Sequence, residues 1–332
     1  MKMRNNHDLS NRKSIGLQKF LALGTLVILY TFFSIFGKNF FSVPTLINIL
    51  DSSYYIGFMA VGITFVIITG GIDLSIGAVM MCSALIGGVA YNIWHWPIAI
   101  SLVLIIVIAV IFGLINGILV AKLKLPPFIA TLGTQMISLG FGAIVSKVMT
   151  MRFPTVTDPD GWYKFVFYKT QRGFPIGAIW LIVFLIIGFI LLNKTRLGRY
   201  TYAIGSNEEA TRLSGVKTDF WKMMVYTLSG FSAGLAAIVY LSAYTSIIPS
   251  TGSGIEMLPI TGVVIGGTSM AGGVGTITGT IIGVFVMSVL KQGLMSMNLQ
   301  AQWQTFFIGI VVIGAVLLDN YRSKKVNEIK KD

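Results

Sequence analysis

The chain has 332 residues, of which 55% are hydrophobic and only 11% charged, with a mean hydropathy of +0.80. Soluble domains carry about 25% charged residues, so this composition excludes a water-soluble globular protein. The formal net charge of +13 raises the question of a nucleic-acid partner, but the basic residues are placed as membrane-topology signals, and no nucleic acid is expected.

Residues 1–19 form a polar lead running to Lys19, and the apolar stretch behind it lacks a small-residue cleavage site. A cytoplasmic tail is expected there, and not a cleaved secretory signal. Ten apolar spans follow, at 20–36, 46–69, 74–92, 98–121, 127–146, 175–193, 223–244, 257–270, 276–296 and 304–319. Crossing a bilayer takes about 20 apolar residues, and shorter or broken segments are tolerated only inside a helix bundle. The span 257–270 is the shortest of the ten. The expected fold is an all-α polytopic membrane protein with about ten transmembrane helices, some short or broken. Its transmembrane domain covers 20–320, and a second tail covers 321–332.

With the N-terminus inside, the inner segments hold 18 of the 25 Lys and Arg residues. Excess Lys and Arg marks the cytoplasmic side, so both termini are expected to be cytoplasmic. Two connections are long. The outer one, 150–174, contains Asp158-Pro-Asp-Gly-Trp162 and several aromatics. It reads either as an ordered loop with interfacial anchors or as a docking surface for an external partner. The inner one, 194–222, holds the most water-like stretch of the chain.

That stretch is Ile204-Gly-Ser-Asn-Glu-Glu-Ala-Thr-Arg-Leu-Ser-Gly-Val216. Ser206 and Glu209 have capping-box spacing, Glu208 and Glu209 suit a positive helix N-terminus, and Glu208 and Arg212 stand at i,i+4. Gly215 supplies a left-handed C-terminal cap. The pattern predicts a helix over Asn207–Ser214, roughly 12 Å long. Isolated helices need about 12–15 residues, so it must rest either on the inner membrane face or in a cytoplasmic partner.

Between the second and third spans, Gly70-Gly-Ile-Asp-Leu-Ser-Ile-Gly77 lets the backbone turn and offers Asp73 or Ser75 as a helix cap. The alternative is a role for Asp73 in the transport path or inner gate. Val264-Ile-Gly-Gly-Thr-Ser-Met-Ala-Gly-Gly273 echoes that arrangement, as duplicated transporter halves do. Asn116 is a polar residue inside an apolar span, which usually means glue between helices.

Soluble-enzyme chemistry has little footing. Only His7 and His95 are present, so neither a metal site nor a catalytic set is expected. Gly230-Phe-Ser-Ala-Gly234 has the nucleophile-elbow pattern but lies mid-span without a His partner, and reads as small-residue packing. Gly266–Gly279 contains no Gly-Lys-Ser/Thr, so it is no phosphate-binding loop. The one cysteine, Cys82, excludes an internal disulfide framework. No cofactor is expected, and the energy of any pump must come from another subunit.

Four motifs stand in order: Gly70–Gly77, Leu125-Pro-Pro-Phe-Ile-Ala-Thr-Leu-Gly133, Asn207-Glu-Glu-Ala-Thr-Arg-Leu-Ser-Gly215 and Val264–Thr276. Together they resemble the permease subunits of ribose-type sugar importers of the ATP-binding cassette superfamily, over about Leu46 to Asp319. The resemblance implies a permease that imports a simple sugar, ribose- or galactose-like, by alternating access. It also implies ten helices, a second permease (identical or homologous), a cytoplasmic ATPase and an extracytoplasmic sugar-binding protein, all assembled in membrane lipid.

By that resemblance Asn207, Glu208, Glu209, Ala210, Thr211, Arg212, Leu213, Ser214 and Gly215 form the helix that couples to the ATPase. Pathway or gate candidates are Gly70, Gly71, Asp73, Ser75, Asn116, Thr261 and Thr268. Leu258, Val274 and Gln292 depart from the family's usual acidic, basic and Asn residues, which bears on the substrate and leaves the coupling segment intact. A nucleoside or amino-acid permease of the same superfamily is the alternative, and a secondary carrier a more distant one.

Overall fold

The computed structural model describes residues 20–169 and 173–329. Among them, seven helices are long and apolar enough to cross a membrane: Val43–Ile68 (α2), Ile98–Lys122, Pro127–Val145 (α5), Ile176–Lys194 (α7), Thr218–Ala243 (α10), Ile277–Ser296 (α12) and Gln302–Tyr321. The second of these is an α-helix to Gly117 (α4) that ends in a π turn. The last lies within Ala301–Ile329 (α13). Two apolar helices are shorter, Phe20–Phe36 (α1) and Ile76–Asn92 (α3). The remaining helices are Trp162–Phe167 (α6), Arg196–Ser206 (α8), Glu208–Leu213 (α9) and Met257–Ile265 (α11).

Helix α2 is the centre of the bundle, with every residue from Asp51 to Ile68 buried. A helix that is apolar all round belongs inside a bundle or a bilayer. Small residues let its neighbours approach: a Cβ on Gly57 would lie 2.6 Å from Leu181 of α7, and one on Gly62 would lie 2.9 Å from the Ser229 backbone of α10. Around this centre α4, α5, α7 and α13 turn large apolar side chains outward, among them Val103, Met136, Ile182 and Leu317. In the apolar setting of a membrane such contact between helices rests on close packing. Gly-x-Ser-x-Gly does this work where α4 meets α10: a Cβ on Gly230 would stand 2.4 Å from the Ala109 carbonyl oxygen.

The two ends of the bundle differ. At one end, a two-residue ribbon pairs Met151–Arg152 (β1) antiparallel with Ser246–Ile247 (β2), and Asn92, the last residue of α3, donates its amide to the Arg152 carbonyl at 2.8 Å. The long loop there is ordered over its described part. Asp158 accepts from the Thr155 N–H and hydroxyl at 2.6 and 2.9 Å, which holds its carboxyl below the usual range. Lys164 is buried and donates to the Ser242 carbonyl at 3.0 Å, and that burial pushes its pKa down. Residues 170–172 lie outside the described residues. The opposite end carries α8 and α9.

The eighth apolar stretch is shorter than the sequence pattern suggests. Helix stops at Ile265, and 266–276 is a glycine-rich turn in place of a continued span. Gly266 approaches Gly279 too closely for side chains: a Cβ there would meet the Gly279 carbonyl oxygen at 2.3 Å.

Candidate functional site

Helix α9 has six residues and is capped by Asn207, whose backbone is extended (φ −163°, ψ 100°) and whose side-chain oxygen accepts from the Ala210 N–H at 2.9 Å. This corrects the expected capping box, because Ser206 is the last residue of α8. Asn caps at least as well as Ser, and here it is the residue whose backbone leaves helical geometry. Arg212 pairs with Glu209 at 2.8 Å, not with Glu208, and that carboxylate holds the guanidinium charged. Glu208 is taken instead by Lys222 of α10 at 2.7 Å. Gly215 has φ +83° and donates its N–H to the Arg212 carbonyl at 3.0 Å, as expected of a left-handed stop. Thr211 is the buried face of α9, while Leu213 is 79% exposed.

What α9 is fastened to matters as much. Gly205, two residues before the cap Asn207, lies against the end of α2 so tightly that a Cβ would stand 1.7 Å from the Ile68 carbonyl oxygen. Gly273 donates its N–H to that same carbonyl at 2.8 Å, and Tyr202 donates its hydroxyl to the Gly275 carbonyl at 2.7 Å. The two glycine-rich stretches that echo each other in sequence therefore meet at one knot, with the end of α8 between them. Asp319 of α13 ties in the far side, accepting from the Met270 N–H at 2.9 Å and the Ser269 hydroxyl at 3.2 Å.

From this knot Gly70 (φ +75°) reverses the chain. It then climbs to Asp73, which is 2% exposed. Both carboxylate oxygens are occupied: Oδ1 accepts from the Ser75 N–H at 3.0 Å and hydroxyl at 2.7 Å, and Oδ2 from the Ser229 hydroxyl at 2.7 Å. Asn116 of α4 donates to the Ser75 hydroxyl at 2.7 Å. Gly71 leaves room for the Tyr226 ring, whose oxygen would lie 2.6 Å from a Cβ there. Ser75 occupies the cap position of α3 without a side-chain cap bond of its own.

The structure thus gathers Gly71, Asp73, Ser75 and Asn116 with Ser229, a partner the sequence reading missed. Ser229 lies near the middle of α10, so Asp73 sits inside the bundle and not at its boundary. Thr261 and Thr268 do not join this network. Thr261 is on α11, Thr268 is in the turn after it, and both buried hydroxyls lack a partner.

A family model described as "Branched-chain amino acid transport system / permease component" matches residues 45–316. The chain belongs to this permease family. It is a multi-pass protein of the inner membrane and a transport component, not an enzyme. The permease is 37% identical over 312 residues to the ribose import permease protein RbsC of Escherichia coli (strain K12), covering 90% of this chain and 92% of that one. It is 35% identical over 299 residues to the fructose import permease protein FrcC of Rhizobium meliloti, covering 89% and 83%. Among solved structures it resembles an inward-facing conformation of a metal-chelate type ABC transporter, with a TM-score of 0.51 and 16% identity over 92% of this chain and 99% of that one. At that identity the likeness concerns the fold alone.

Two further sets of contacts in the permease were missed by sequence reading, which had named Gln292 but not its partner. Gln135 of α5 donates to Glu256 at 2.8 Å, and Glu256 is 3% exposed. Near the ribbon end, Lys291 donates to the Tyr55 hydroxyl at 2.7 Å and Gln292 to Ser52 at 2.9 Å. No short-range signal marks these pairs, because each joins residues more than a hundred positions apart.

Proposed function

We propose that this permease is the membrane-spanning half of an ATP-driven importer that carries a simple sugar, ribose- or galactose-like, into the cell. In this reading the chain crosses the membrane ten times, with both termini and the α9 end in the cytoplasm. An ATP-binding cassette ATPase seats Asn207–Gly215, a second permease (identical or homologous) completes the pathway, and an extracytoplasmic binding protein delivers the sugar to the ribbon end.

One observation carries the reading: α9 is exposed, with Leu213 projecting, while its root is locked into the membrane bundle at Gly205. Six residues cannot hold a helix by propensity alone, and an exposed apolar side chain on a charged helix suits a groove in a partner. Because a Cβ-less contact leaves no slack at Gly205, a push on α9 moves Ile68 and Gly273 with it. Ile68 leads within a few residues to Asp73, and Gly273 leads to α12. ATP-driven closure of the ATPases therefore reaches the Asp73 network as a rigid displacement, and the pathway opens alternately to the two sides.

The test is mild-detergent purification of the complex from its own host. A P-loop ATPase should accompany the wild-type chain and be lost with Arg212→Glu. A chain that arrives alone and still transports sugar in liposomes without ATP would be a secondary carrier. The family's description favours an amino-acid solute as a second reading, which uptake of labelled ribose against labelled leucine decides.

A further inference from the structure

Between β2 and α11 the chain does something unusual for a membrane protein. Ile248–Glu256 is non-helical, and it leaves the ribbon end and descends into the bundle. Its depth can be read along α3. At the ribbon end, a Cβ on Gly88 would meet Met151 of β1 at 2.5 Å. Lower down, a Cβ on Gly252 would lie 3.0 Å from the Ala78 backbone and 3.2 Å from Met81, and one on Gly77 would lie 2.9 Å from the Glu256 nitrogen. From Gly88 to Gly77 is about three turns of helix, or roughly 16 Å. With the ribbon end at the membrane surface, a hydrocarbon core about 30 Å thick puts Glu256 near its middle.

At that depth Thr251, Ser253 and Gly254 are exposed on the surface of the chain. Irregular backbone facing lipid would leave polar groups unsatisfied at a cost of several kcal/mol each, and it is tolerated only against protein or along a water-filled cavity. Behind this surface lies Glu256. Its Oε1 accepts from Gln135 at 2.8 Å and from the Gly254 N–H at 3.0 Å, while its Oε2 is buried with no partner. Ionisable groups at membrane depth face a bundle interior or a water-filled path, and this one has an acceptor left over.

Resting on the importer reading above, we propose that the aqueous path runs along the face formed by Thr251–Glu256, and that Glu256, held by Gln135 of α5, contacts the hydroxyls of a polyhydroxylated solute at mid-membrane. The break before α11 exposes backbone and small hydroxyl side chains where a continuous helix would present apolar ones. The Gln135 bond fixes one carboxylate oxygen, while the other, buried against Gly77 of α3, has no partner until a solute hydroxyl reaches it, the kind of charge-assisted bond that discriminates a sugar from an apolar solute. Both carboxylate oxygens of Asp73 are occupied within the bundle, and so Asp73 acts as a positioning element next to this face.

The test uses the reconstituted complex with Cys82 replaced by Ala, single cysteines at chosen positions, and a membrane-impermeant cationic thiosulfonate reagent on both sides. Ser253→Cys should react, and ribose should slow its reaction several-fold. Ile186→Cys, on the 54% exposed face of regular α7, should stay unreacted because it faces lipid, while Thr157→Cys in the ribbon-end loop should react freely. Glu256→Gln should raise the KM of ribose uptake roughly tenfold, with a smaller change in kcat.

If Ser253→Cys is silent with and without ATP while Thr157→Cys reacts, the water-lined face is overturned. If Ser253→Cys reacts but ribose gives no protection and Glu256→Gln keeps its KM, the solute contact is overturned. Labelling does not depend on transport, so a reactive Ser253→Cys in a complex that ignores ATP would sink the importer reading and leave the aqueous face standing.

Discussion

Two short helices in this permease, α9 and α11, are stabilised in opposite ways. Helix α9 has six residues, only one of them buried, and holds its ends by an Asn cap, a left-handed glycine and pairs to Glu209 and Lys222. Helix α11 has nine residues, all apolar or small, and seven of them from Leu258 to Val264 are buried. It has no side-chain cap bond. In the importer reading proposed above, the exposed outer face of the first is what a partner covers. The second is held by its surroundings, with the non-helical Ile248–Glu256 leading into its N-terminus. A helix of a given length therefore tells little about role until its caps and burial are known.

The largest expected effect that tests this contrast is at the root of α9. Gly205→Val places side-chain atoms inside the Ile68 carbonyl, and the chain should lose on the order of 3 kcal/mol or more, read as a large drop in Tm of the purified permease. Unchanged Tm would mean that the knot is loose and α9 no rigid handle.

Next in size is Asp73→Ala, which strands Ser75 and Ser229 in the bundle. The expected loss is about 2 kcal/mol, and Asp73→Asn should recover part of it, because an amide oxygen still accepts. If the two variants melt alike, hydrogen bonding at Asp73 is not what holds the start of α3.

Asn207→Ala removes only the α9 cap and should cost about 1 kcal/mol, visible as faster amide exchange at Ala210 with the rest of the chain unchanged. The corresponding change at α11, Glu256→Ala, should not act through capping at all.

The smallest effect is at the ribbon end. The Asp158 carboxyl is held below its ordinary range by Thr155, so its contribution is fully present above the unfolded value of about 4. It is lost as pH falls through the lowered value. Trp162 fluorescence in the loop should therefore change only on acidification below about pH 4, and Asp158→Asn should abolish that change. A change on raising the pH instead would contradict the sign.

Most of the helices and the short, exposed α9 were legible because composition, apolar run length and turn chemistry are local. Asn207 and Ser206 show the limit. Both are good caps, and the choice between them was made by where α8 ends, which depends on Gly205 meeting Ile68. The span at 257–270 was overcalled because Ile265 and Met270 are apolar, although Gly266 and Gly267 between them stop the helix. Asp73 was legible as an unusual carboxylate, yet its depth was not, because Gly70 turns the chain back into the bundle. Gln135 and Glu256 left no trace in sequence, since 121 positions separate them.

In the proposed importer, α9 transmits ATP-driven motion through the Gly205 knot. The most direct measurement is ATP hydrolysed per sugar imported by the reconstituted complex, for the wild type and for Arg212→Glu. Arg212 and Glu209 are both well exposed, so the variant should fold normally, with a stability change below about 1 kcal/mol. Import should fall at least tenfold while the permease keeps its Tm, and ATP hydrolysis by the partner should no longer respond to sugar. An unchanged ratio of ATP to sugar in Arg212→Glu would contradict it.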